Sequence, residues 1–128
     1  SISDLVDSCL SKNTNKINKI FNENIFSVDD CILIIRTLLL KTKRLLEIKK
    51  INNSNKNIEQ IISNFKPPIF WKDKEIVKQQ INMWSPEKIR TLIYRLNELE
   101  LIIKKNLGNS IKIITDFILE QSSSKSNN

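Results

Sequence analysis

A chain of 128 residues with 40% hydrophobic content and a single Gly suits one packed domain, and is too short for a cofactor domain beside a substrate domain. It has no His, no Gly-rich phosphate loop and no G-x-S-x-G turn, which removes the commonest catalytic and zinc-binding equipment. The net charge of +7 invites a phosphate-bearing partner, but the abundance of Lys, Asn and Ile without any Ala also fits AT-rich codon usage and solvated Lys faces.

Cys9 and Cys31 read as two reduced, packed thiols, since nothing suggests secretion. No apolar run approaches the ~18 residues of a membrane span, so a soluble chain is expected. The opening SISDLVDS, polar and without Met, predicts a cytoplasmic fragment of a longer protein.

In chain order, Leu5, Val6, Cys9 and Leu10 predict a short helix capped by Ser3, and Ile17, Ile20 and Phe21 predict a second one after a Thr14 cap. SVDD at Ser27 opens a long helix to about Ile51, with a hydroxyl cap and two carboxylates in its first turn. Its core stripe reads as Val28, Cys31, Ile32, Ile35, Leu39 and Leu46, with Leu33 and Leu40 as a second apolar line. Arg36 is the one charge in its apolar half and either snorkels or bonds a partner. Lys41, Lys43, Arg44, Lys49 and Lys50 read as a solvated end, with a phosphate patch as the alternative.

The polar INNSNKN loop precedes a short helix carrying Ile58, Ile61 and Ile62, stopped by Phe65 and the Pro67–Pro68 pair. Both tryptophans and all three prolines fall in the stretch 66–86. Phe70, Val77, Ile81 and Trp84 predict one apolar face of a helix ending near Met83, with Trp71 off that face. Ser85 and Pro86 give a strong start signal for the next helix, to about Asn106, whose stripe is Ile89, Leu92, Ile93, Leu96, Leu99 and Ile103. Glu100 breaks that stripe and is expected to pair with Lys104 or a neighbouring helix as a structural contact. Gly108 reads as the C-terminal cap region. A last helix uses Ile111, Ile114, Phe117 and Ile118. The whole predicts an all-α bundle of about six or seven helices over 1–121, with 122–128 as a disordered polar tail.

The order of IIRTLLLKTKRLLEIK, a loop with a short helix, and KPPIFWKDKEIVKQQINMWSPEKIRTLIYRLNELELIIKKNLG resembles the C-terminal domain of the delta-subunit family of bacterial DNA polymerase III, part of the sliding-clamp loader. The likeness runs from about Ser3 through Leu119 and is sharpest from Arg36 to Gly108. It is carried by Arg36 and Leu38; by Pro67, Pro68 and Phe70; by Trp84 and Ser85; and by Glu100, Lys104 and Gly108.

The resemblance implies a helical collar segment that joins delta-prime and gamma/tau subunits in a pentameric ring and does no chemistry. It also implies contact with the sliding clamp only through an N-terminal region this chain lacks, and primer-template DNA nearby. Candidate interface residues are Arg36, Leu33, Leu40, Trp71, Arg90, Tyr94 and Leu101, although the apolar ones also fit contacts with another helix of the same domain. Lys104, Lys105 and Lys112 are candidates for phosphate, and Leu107 stands where some relatives carry an aromatic that stacks on a base. No cofactor or metal is expected. A stand-alone basic helical module that binds nucleic acid is the second reading, and an enzyme with carboxylate or cysteine chemistry the third.

Overall fold

The computed structural model describes residues 1–52 and 57–123. They form seven α-helices and two 3-10 turns, with no strand among the described residues. Local chemistry sets most of the boundaries. α1 (Ile2–Leu10) is capped two residues earlier than expected, because the Ser1 hydroxyl, and not that of Ser3, accepts the amide N–H of Asp4. That start brings Ile2 onto the edge of the core.

Lys12, with φ 56°, turns the chain between α1 and α2 (Thr14–Glu23). Asn13 then caps α2 by accepting the amide of Lys16. The Thr14 hydroxyl, expected to be that cap, instead meets Ser122 Oγ at 3.1 Å. α3 (Val28–Asn52) opens on a reciprocal capping box, in which Ser27 Oγ accepts the Asp30 amide and the Asp30 carboxylate accepts the Ser27 amide.

α3 is the central strut. It packs most extensively on α6 (Pro86–Lys105) and also touches α1, α4 (Ile58–Asn64), α5 (Lys74–Ile81) and α7 (Ser110–Ser122). Its buried face is Cys31, Ile34, Ile35, Leu38, Thr42, Leu45 and Ile48. The expected stripe is therefore rotated: Ile32, Leu39 and Leu46 lie at its half-buried edge and Val28 is exposed. Thr42 tolerates complete burial because its hydroxyl donates to the Leu38 carbonyl at 2.6 Å.

The corner between α4 and α6 departs from expectation. Phe65 caps α4, a cis Lys66–Pro67 bond follows, and a 3-10 turn over 71–73 leads into α5. That turn shifts the register, so Ile69 enters the core and Phe70, expected there, faces solvent. α5 ends at Ile81, two residues before Met83, which is exposed.

α6 starts where its sequence announces it, with Ser85 accepting the Lys88 amide and Pro86 in the first turn. Gly108 does not terminate it. Asn106 does, its side-chain amide donating to the Ile102 carbonyl at 2.8 Å, while Gly108 lies in the 3-10 turn 107–109 without positive φ. α7 continues through Gln121 and Ser122, both buried, so Ser122 belongs to the packed helix and not to a tail. The remainder of the expected tail, 124–128, lies outside the described residues.

Candidate functional site

On α3, each residue turns the helix by about 100°, which sets Leu33 and Leu40 on the side opposite the Cys31–Leu38–Thr42 face. Both are exposed, Leu40 to 70%. Arg36 lies between them on the outward side, and its Nε donates to Glu100 Oε1 of α6 at 3.3 Å. The other carboxylate oxygen of Glu100 accepts from Lys104 Nζ at 3.0 Å. Glu100 thus sits between two cations at the seam of α3 and α6. Its carboxyl is held below its ordinary value, chiefly by the Lys104 hydrogen bond and then by Arg36, with partial burial opposing them.

On α6, Arg90, Tyr94 and Leu101 share one outward line and all are exposed. The outer faces of the two most closely packed helices therefore carry Leu33 and Leu40 on one side of an ion pair, and Tyr94 and Leu101 on the other. Single exposed apolar residues are ordinary, and these four are spread over the outward sides of two helices that pack on each other.

Trp71, also exposed, stands on neither helix but in the 3-10 turn before α5. Near the end of α6, Lys104 is tied to Glu100, and Lys112 donates to Asp116 at 2.9 Å. Lys105 and Leu107 are exposed. These surface pairs are weak enough to yield to a phosphate.

The Lys-rich half of α3 is not a uniformly solvated end. Lys41 Nζ donates to Asp7 at 2.8 Å and to Ser3 Oγ at 3.0 Å, and both partners of the ion pair are only 14% exposed at their side chains. Arg44 is half-buried beside it, near Asp7 and Asp73. Gln80, fully enclosed, donates to the Asp7 carbonyl and to Ser11 Oγ. These buried polar ties join α1, α3 and α5, and only partners brought together from distant parts of the chain reveal them.

Both thiols are free and buried, and burial pushes Cys9 up to about 12. Among the described residues, no group of three or more Cys, Asp and Glu side chains is placed to hold a metal ion. No described helix is long and apolar enough to cross a membrane. No protein-family model, curated protein or solved structure matches the chain.

Proposed function

We propose that this chain is the C-terminal collar segment of a delta-type clamp-loader subunit. It is a non-catalytic, cytoplasmic module that joins delta-prime and gamma/tau segments in the pentameric ring that places a sliding clamp on primed DNA. The observation that carries this reading is the outward face of α3 and α6, where Leu33, Leu40, Tyr94 and Leu101 remain exposed around the Arg36–Glu100 pair. An oligomerising helical domain must bury one face internally and offer another, and these two helices do both. The resemblance carried by Arg36, Leu38, Pro67, Pro68, Phe70, Trp84, Ser85, Glu100, Lys104 and Gly108 supports the same assignment. Primer-template DNA is then met as part of the ring, and the clamp through a region outside these 128 residues.

Co-purification with delta-prime and gamma/tau from the same source tests the reading. The unsubstituted chain is expected to co-elute with them, whereas a variant carrying Arg90→Glu, Tyr94→Ser and Leu101→Asp stays helical and drops out. A folded, unsubstituted chain that never enters such a complex overturns the assignment.

A further inference from the structure

We propose that the Phe70–Trp71 corner is a stacking platform for single-stranded nucleic acid, with the neighbouring lysines holding the phosphates. Trp71 is 69% exposed and Phe70 56%, and their ring centroids lie 5.9 Å apart. Neither ring contributes to the core, since Ile69 takes the inward position.

The backbone beneath them is fixed on both sides. Ile69 anchors it from within, the Asp73 amide donates to the Phe70 carbonyl at 2.9 Å, and the turn runs directly into α5. Rings held on such a frame need little ordering when a ligand arrives. Their planes meet at 57°, so each ring offers a separate face to one of two successive bases.

Charge decides the occupant. Lys72 Nζ stands 5.4 Å from the Trp71 ring centroid, and Lys66 is exposed just before the prolines. The local carboxylates are Asp73, half-buried, and Glu75, exposed on the first turn of α5, where the half-buried Lys74 stands between them. An exposed ammonium group at the Trp71 ring, with a second exposed lysine four positions before Phe70 in the chain, suits a phosphate-linked chain of unpaired bases better than an apolar helix, which would leave the cation at the ring unmatched. This corner belongs to neither α3 nor α6, and the inference does not use the residues those helices expose, so it stands whether or not the chain joins a collar.

Titrating the 128-residue chain with a single-stranded oligothymidylate, read by tryptophan emission and by anisotropy of the labelled strand, tests it. Trp84 is buried, so binding is expected to quench the Trp71 part of the emission. Trp71→Ala and Phe70→Ala should each weaken binding about tenfold, as loss of one stacked base requires, while Trp71→Phe retains most of the binding and loses the quenching. Lys72→Ala should lower the salt slope by about 0.7. Both rings are exposed, so the circular dichroism of the variants should match that of the unsubstituted chain.

The proposal is overturned if Trp71→Ala binds within about twofold of the unsubstituted chain. It also fails if a duplex of the same sequence competes equally, or if Trp71 emission responds to anionic lipid vesicles but not to the oligonucleotide.

Discussion

The indole Nε1 of Trp84 donates to the backbone carbonyl of Leu10 at 2.8 Å, tying the corner before α6 to the end of α1 across 74 positions of the chain. Lys12 Nζ covers the other side, 4.3 Å from the ring centroid, and the side chain is only 2% exposed. The bond satisfies a carbonyl at a helix C-terminus, where four such groups lack intrahelical partners. Trp84→Ala should therefore cost about 3–5 kcal/mol in urea denaturation, through the cavity and the orphaned carbonyl together. Trp84→Phe separates the two, since it keeps most of the packing and loses the donor, for a cost of about 1–3 kcal/mol. Indistinguishable stabilities for Trp84→Phe and the unsubstituted chain would show that the hydrogen bond contributes nothing net.

The Asp7–Lys41 pair carries a prediction of the opposite kind. Because both side chains are largely buried, removing one partner leaves an enclosed charge. Lys41→Met should cost about 3 kcal/mol, whereas Asp7→Leu combined with Lys41→Met should recover much of that loss, the apolar pair needing no desolvation. Denaturation midpoints of the two single variants and the double variant decide it. A double variant as unstable as the sum of the singles would mean that the pair is not energetically coupled.

The contrast between these two sites explains what a linear reading reaches. Ser85–Pro86 and the Ser27 capping box are legible because cap and amide lie within one turn, so the chemistry is complete in four residues. The outward placement of Leu33, Leu40, Tyr94 and Leu101 follows from helical spacing once a stripe is identified. Phe70 was not legible in this way. A 3-10 turn replaced the first helical turn there, and a register shift of one residue exchanged Phe70 for Ile69 in the core. Lys41 and Gln80 look like surface residues in any window, because their partners on α1 lie 34 and 73 positions away.

Gly108 gives a simple check on the end of α6. It lacks the positive φ that would make glycine necessary, and a Cβ built there meets nothing within 4 Å. Gly108→Ala should then stabilise the fold by about 0.4–1 kcal/mol, by restricting the unfolded chain. Asn106→Ala, which removes the donor to the Ile102 carbonyl, should destabilise instead. Thermal melts of the two variants moving in the same direction would contradict this placement of the helix terminus.

The Arg36–Glu100–Lys104 group supplies the pH dependence. Lys104 and, after it, Arg36 hold the folded Glu100 carboxyl below the value it has in the unfolded chain, about 4.3 for a free Glu. A depressed acid stabilises the fold fully above the unfolded value, and that contribution fades as pH falls through the lower, folded one. Arg36 is well exposed, so solvent screening keeps the whole effect to about 1 kcal/mol or less. Glu100→Gln preserves the shape and removes the charge. It should be less stable than the unsubstituted chain in urea at pH 7, and the gap should close as the pH is lowered below the folded titration. If the gap is the same at neutral and acid pH, the side chain acts at the α3–α6 seam through packing and hydrogen bonding, and its charge contributes nothing there.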